Sequence, residues 1–365
     1  MTGARVGRRV VAWRLVAVVL LTAACRRATP QDPGATTTGA DPTSAVRARP
    51  PVGITSRVYD DRARARRLAV TVWYPAAAGA VEETTIFDGI FPGRGAWEAP
   101  FPAAPGRMPL VLLSHGSGGD GSNLAWLAEA LAAQGWIAAA VDHPGDRFGD
   151  GSPEGRFAVW RRAPDLSVAL SGLLADRTLG PRIDRRRIAA AGHSSGATTV
   201  LLLAGARLHP RDFATACLTP DAGPDCGFIA DLDVPSIPDL DDAESSYRDR
   251  RVRAVVALAP VLGLAATMST LRAVDVPVAI IASPSDALVP FTQNAARYAQ
   301  GIPRARLTTV PGAGHFVFMP VCTLPGRLVA AAVCVDDAAS PDRVAVHEQT
   351  AAEAAGFLRR AVGAR

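Results

Sequence analysis

The chain has 365 residues, 48% of them apolar, which is enough to bury one sizeable α/β core. Its formal charge of +5 falls to about +1 once Arg5, Arg8, Arg9 and Arg14 near the N-terminus are set aside, so the charge balance gives no footing for nucleic acid or an acidic partner. All 39 basic residues are arginine, which reflects genome composition more than function.

Residues 1–24 have the form of an export signal: an arginine-bearing start, an unbroken apolar stretch from Leu15 to Leu21, then Thr22-Ala23-Ala24 before Cys25. So short a run cannot cross a hydrocarbon layer of about 30 Å as a helix, so it reads as a processing signal. Small residues before Cys25 are similar to a bacterial lipobox, in which the cysteine is acylated and becomes the first residue of the mature chain. Thr22 stands where leucine is usual. Lipidation is the preferred reading, simple cleavage with release is the alternative, and Arg8-Arg9 leaves a twin-arginine route open. Both readings predict export, as a membrane-anchored lipoprotein or as a secreted or periplasmic protein.

Residues 25–51 carry Thr, Pro, Gly, Ala and Asp with almost no large apolar side chain, the composition of a tether. The folded domain is expected over residues 52–365. Ile54 to Tyr59 and Leu68 to Tyr74 predict two strands of an antiparallel hairpin, with the arginines of the intervening turn solvated. Residues 81–107, bearing Phe87, Phe91, Trp97 and Phe101, are read either as a pocket rim or as ordinary packing.

From Pro109 strands and helices alternate. Leu110 to Leu113, Ile137 to Val141, Ile188 to Ala191, Val252 to Leu258, Val276 to Ile281 and Ala305 to Val310 read as strands. Asn123 to Gln134, Asp165 to Arg177, Thr292 to Gln300 and His347 to Val362 read as helices. Continuous apolar strands between helices predict an α/β fold with a mainly parallel, doubly wound sheet and an antiparallel N-terminal hairpin. Two stretches interrupt the alternation. Residues 207–250 are acidic and Pro-rich and are expected to form a cap-like insertion; residues 316–343 form a second insertion. In an exported chain the four cysteines other than Cys25 suggest two disulfides, and the sequence-local pairing is Cys217 with Cys226 and Cys322 with Cys334. Two other pairings stay open.

The chemistry concentrates around Gly192-His193-Ser194-Ser195-Gly196, which follows an apolar strand and precedes a helix. Glycines flanking a strained strand-to-helix turn leave Ser194 exposed as a nucleophile. Acyl transfer also needs a base, an acid that orients it, and donors for the oxyanion. His315, in the glycine-rich loop after the last strand, is the predicted base. Asp286, in the turn after Ile280 and Ile281, is the predicted acid, although Ser-Pro-Ser-Asp is also turn chemistry in its own right. Backbone N–H groups of Ser117, in His115-Gly116-Ser117-Gly118-Gly119, and of Ser195 are the predicted oxyanion donors. His143, in Asp142-His143-Pro144-Gly145-Asp146, is placed on the pocket wall without a catalytic role. His115 and His193 read as scaffolding, and His209 and His347 have no supporting constellation. No histidine stands at ligand spacing to the cysteines, so no zinc site is expected.

These motifs, together with Val72-Trp73-Tyr74-Pro75 and Pro311-Gly312-Ala313-Gly314-His315, resemble the α/β-hydrolase superfamily and, within it, the bacterial dienelactone-hydrolase-like and platelet-activating-factor-acetylhydrolase-like group. The resemblance runs from about Val52 to the C-terminus and implies no cofactor and no metal. True dienelactone hydrolases use a cysteine nucleophile, so Ser194 argues against that reaction. Acetylhydrolase-like members often carry glycine where this chain has Ala197. The expectation is an exported serine hydrolase acting on a small-molecule carboxylic ester, with short acyl or acetyl groups favoured because a stapled cap restricts entry. A peptidase or acyltransferase on the same fold, and a non-catalytic binding lipoprotein, are the alternatives.

Overall fold

A computed structural model describes residues 49–103, 106–220 and 222–363. The export signal and Cys25, and the tether up to residue 48, lie outside the described residues. Strands β1 (Val52–Asp61) and β2 (Arg66–Pro75) pair antiparallel in the register Val52 with Pro75 through Asp61 with Arg66. Residues 81–107 add β3 (Glu83–Phe87) and β4 (Phe91–Trp97), a second antiparallel hairpin whose β4 runs parallel to β1 through Gly53 and Ile54.

The centre of the sheet follows from its residue pattern. In β5 (Met108–Ser114), Leu110 and Leu112 enter one core and Val111 and Leu113 the other, and all four are fully buried. A strand buried on both faces must be covered by helices on both. Helix α1 (Ala125–Ala132) leads to β6 (Ile137–Val141); the short α2 (Pro153–Phe157) and then α3 (Arg162–Ala175) lead to β7 (Ile183–His193). After β7 come α4 (Ser195–Leu203), α5 (Pro210–Ala216), β8 (Val255–Leu258), α6 (Met268–Leu271), β9 (Val278–Ala282), α7 (Ala295–Gly301) and β10 (Ala305–Thr309). The chain ends with α8 (Leu324–Val329), α9 (Ala331–Cys334) and α10 (Arg343–Val362).

Among the described residues ten strands lie in the order β10-β9-β8-β7-β5-β6-β2-β1-β4-β3, parallel from β10 to β6 and antiparallel where β2 joins β6. Helix α3 presents Leu166, Ala169, Leu170 and Leu173 to one face at helical spacing, beside Val200 and Leu201 of α4. Leu127 and Leu131 of α1 with Val346, Phe357 and Leu358 of α10 cover the other. The α/β, mainly parallel and doubly wound architecture with its antiparallel hairpin is therefore as the sequence predicts.

From β5 the chain passes to β6 on one side and then to β7 on the other. This switch opens a crevice beyond the carboxyl ends of β5 and β7, the place where open α/β sheets put their ligands. Both insertions lie in loops beyond the strands. Residues 204–254 hold α5 and three short 3-10 turns, tied by a Cys217–Cys226 disulfide. Residues 319–342 hold α8 and α9, tied by a Cys322–Cys334 disulfide. No helix among the described residues is long and apolar enough to cross a membrane.

Candidate active site

Ser194 sits between β7 and α4 with φ of 55° and ψ of −121°, a backbone that L-residues rarely adopt. The strain is held by packing that leaves no room for side chains at the flanking glycines. A Cβ at Gly192 would lie 2.3 Å from Gly196 O, and one at Gly196 would lie 1.9 Å from Ser114 O. Ser194 N–H donates to Leu258 O at 2.9 Å, which fixes the turn to β8. Its hydroxyl is therefore presented at the sheet edge, 5% exposed.

One loop reaches this hydroxyl directly and a second reaches it through the first. His315 follows β10, and its Nε2 lies 2.9 Å from Ser194 Oγ. Asp286 follows β9, and its Oδ2 lies 2.7 Å from His315 Nδ1. The other carboxylate oxygen of Asp286 accepts the N–H groups of Leu288 at 3.0 Å and Val289 at 2.8 Å. The turn chemistry of Ser-Pro-Ser-Asp is thus real, and it is what aims Asp286 at the imidazole. An ionised carboxylate only accepts, so Nδ1 carries the proton and Nε2 is left to take the proton of the serine hydroxyl. The short 3-10 turn His315–Phe318 is gripped from behind: Trp126 Nε1–H donates to Phe318 O at 2.9 Å, and His347 Nε2–H donates to Val317 O at 2.9 Å. The Trp126 and His347 rings stack at 4.1 Å.

The loop after β5 approaches the same point. A Cβ at Gly116 would lie 3.5 Å from Ser194 Cβ, so the loop backbone touches the elbow. Asp146 Oδ1 accepts Gly118 N–H at 2.7 Å and the Ser117 hydroxyl at 3.2 Å. Neither the N–H of Ser117 nor that of Ser195, the first residue of α4, donates to a backbone group among the described residues. A helix N-terminus leaves its first amides free for an anion.

Residues 110–332, more than half of the chain, match the alpha/beta hydrolase family. The chain belongs to the alpha/beta hydrolase family. Among curated proteins, no sequence matches it. Among solved structures it is similar to the ferulic acid esterase from Streptomyces cinnamoneus, at 21% identity and a TM-score of 0.57, over 88% of this chain and 92% of that one. At that identity the likeness is one of fold.

In this alpha/beta hydrolase the pocket over Ser194 and His315 has a volume of about 750 Å³. Its apolar walls include Ile90 and Phe91 of the β3–β4 hairpin, Phe148 after β6, Phe228 of the first insertion, Leu288 after β9, and Met319 and Val333 of the second insertion. Phe91 therefore belongs to the rim, whereas Phe101 is ordinary packing, stacked on Tyr74 at 4.1 Å. Both insertions contribute to the wall.

His143 does not line the pocket. It is fully buried beneath the loop after β5, where its Nε2 meets Ser114 Oγ at 2.9 Å and its Nδ1 meets Asp165 Oδ2 at 3.0 Å. Pro144 and Gly145 turn the chain at once, so the ring points down into the α3 side instead of along the sheet edge. Of the hairpin-turn arginines, Arg62 and Arg67 are exposed as the sequence reading expects, whereas Arg64 and Arg66 depart from it. Arg64 and Arg66 reach the buried Asp165, at 2.6 Å and at 2.7 and 2.8 Å respectively. His115 and His193 are buried scaffolding, and burial above all holds both well below the ordinary imidazole range. Trp126, Arg162 and Asp165 carry no local motif, and Asp146 stands in the motif around His143 without signalling its role, because each acts across the fold on residues distant in sequence.

Proposed function

We propose that the protein is an exported serine hydrolase that cleaves carboxylic esters through an acyl-enzyme on Ser194. One observation carries this reading: Ser194 Oγ, His315 and Asp286 lie in series at 2.9 and 2.7 Å, with Ser194 and His315 on the floor of an apolar pocket. His315 Nε2 takes the hydroxyl proton as Ser194 Oγ attacks the ester carbonyl. The amides of Ser117 and Ser195 receive the oxyanion, supported by the N-terminus of α4. The protonated imidazole, held by Asp286, then gives its proton to the leaving alcohol, and water repeats the sequence to release the acid. A binding module would have no use for a nucleophile in a strained backbone aligned with a base and an acid.

A short acyl group occupies only part of a cavity of about 750 Å³. The other half of the ester is assigned the remaining apolar volume between Phe91, Phe228, Met319 and Val333. The substrate panel should run over p-nitrophenyl esters of increasing chain length and, because a structural neighbour is a ferulic acid esterase, should include an aromatic acyl ester. The proposal also places the domain outside the cytoplasm, with an acyl anchor on Cys25.

A fluorophosphonate probe tests the nucleophile. Native protein is expected to be labelled, Ser194→Ala to take no label, and kcat to fall by about 10⁶ in that variant. Unlabelled native protein, or equal labelling of the variant, would sink the enzyme reading.

A further inference from the structure

Beneath the oxyanion loop lies a second serine, histidine and aspartate in series. Ser114 Oγ meets His143 Nε2 at 2.9 Å, and His143 Nδ1 meets Asp165 Oδ2 at 3.0 Å. All three are 0% exposed, so no ester reaches Ser114. Burial is the larger influence on Asp165 and works to raise it, but hydrogen bonds from His143 and Arg66 outweigh it and hold the carboxyl near about 2. Burial, aided by Arg162, pushes His143 down to about 3. Asp165 is therefore ionised and His143 neutral. Nδ1–H donates to Asp165, and the Ser114 hydroxyl donates to Nε2.

This array touches the oxyanion loop at its root. Ser114 ends β5 and is followed directly by His115. His143 N–H donates to His115 Nε2 at 3.2 Å, which leaves the proton of that ring on Nδ1, facing Gly116 O at 2.7 Å. Gly116 carries the peptide that ends in Ser117 N–H. Helix α3 anchors the assembly twice: Asp165 takes His143, and Arg162, one turn earlier, donates to His115 O and faces Asp146 Oδ2 at 3.5 Å. Arg64 and Arg66 tie Asp165 in turn to the hairpin of β1 and β2.

We propose that Ser114, His143 and Asp165 are positioning residues that fix the peptide before Ser117, so that its N–H is already aimed at the oxyanion before substrate arrives. An oxyanion donor is effective only if it needs no reorganisation during the reaction. A loop rich in glycine cannot hold such an aim by itself. The buried array supplies the constraint, with the hydrogen-bond order of the reacting triad used for rigidity instead of chemistry.

The inference rests on the reading of Ser194 as the nucleophile, and its test separates the two. Ser114→Ala and His143→Asn are assayed on p-nitrophenyl butyrate, with kcat expressed per site titrated by fluorophosphonate. Inhibition by phenylboronic acid, which forms a tetrahedral adduct with a reactive serine, is measured alongside. We expect kcat per titrated site to fall roughly 10- to 100-fold and the boronate Ki to rise by a similar factor. KM should stay within about threefold of wild type. A merely structural role would lower the titre and the melting temperature while leaving kcat per titrated site and Ki unchanged, and that result overturns the proposal. So does a raised KM at constant kcat. If His143→Asn does not fold, Ser114→Ala, which deletes one oxygen, decides alone. If wild-type protein takes no label, the nucleophile assignment fails, and this inference fails with it.

Discussion

His347 shows how one side chain can serve the site from outside it. Its ring stacks on Trp126 and its Nε2–H holds Val317 O, two residues beyond His315, while burial foremost keeps it neutral and lowers it to about 4. The unfolded chain takes a proton on this residue below about 6.5, which the folded protein refuses until about 4. Its contribution is complete above the unfolded value and is lost as pH falls across that window, by on the order of 3 kcal/mol. Asp120 and Glu129, each raised to about 7 chiefly by burial, act in the opposite sense over much of the same range. The difference between wild type and His347→Gln, whose amide still donates to Val317 O, isolates the histidine. Urea midpoints measured from pH 7 to pH 4 should converge on, or fall below, those of the variant as the acid limb is approached; a constant gap would show that His347 is not held neutral. Nothing near His347 in sequence signals this role. The partners of Ser194 were legible because chain order alone names them, whereas contacts such as Trp126 to Phe318 exist only once the sheet is assembled.

At the scale of elements, the strands buried on both faces were readable because apolar runs between turns leave few alternatives. The hairpin of β3 and β4 was not. Its second strand, Phe-Pro-Gly-Arg-Gly-Ala-Trp, carries a proline and two glycines that count against a strand. The glycines are there for close approach: a Cβ at Gly95 would lie 2.4 Å from Ile54 Cδ1, and one at Gly93 would lie 2.6 Å from the Phe87 ring. The α8 and α9 segment is a different case. Leu324, Leu328 and Val329 are exposed, and the segment packs into a small satellite cluster of Phe91, Met319 and its own two cysteines. Its order must come from the Cys322–Cys334 disulfide and from Arg343, which pairs with Asp336 at 2.7 Å and donates to Val333 O at 2.9 Å. Closing so short a loop contributes about 3 kcal/mol in the chain-entropy account. The double variant Cys322→Ser with Cys334→Ser should therefore loosen one wall of the pocket and leave the reacting groups in place. The expected result is a KM raised roughly threefold to tenfold with kcat held, read on the ester panel. A fall in kcat at constant KM would show instead that the segment supports His315.

For the whole molecule, the doubly wound sheet brings the ends of β5, β7, β9 and β10 to one edge, which is why the loops after β5, β9 and β10 converge on Ser194 at the end of β7. The same edge carries both disulfides, each confined to an insertion, so neither staples the two cores on which the fold depends. They serve the pocket walls and require an oxidising compartment to form. This sequence holds five cysteines, and the described residues pair Cys217 with Cys226 and Cys322 with Cys334, so Cys25 is the one outside those two bridges. An odd thiol in an exported protein invites intermolecular pairing unless it is chemically blocked. Under the proposed lipidation, acylation would block it and, were the apolar segment Leu15 to Leu21 removed by processing, would supply the membrane attachment. One acyl chain gives only marginal, reversible binding, so stable attachment requires more than one chain on the processed cysteine. Cells expressing the full chain and fed radiolabelled palmitate should incorporate label into a membrane-fraction product; Cys25→Ser should lose both the label and the membrane fraction while its folded domain keeps esterase activity. Wild-type protein released without label would replace the anchor with simple cleavage and secretion, and label retained in Cys25→Ser would move the acylation to another residue.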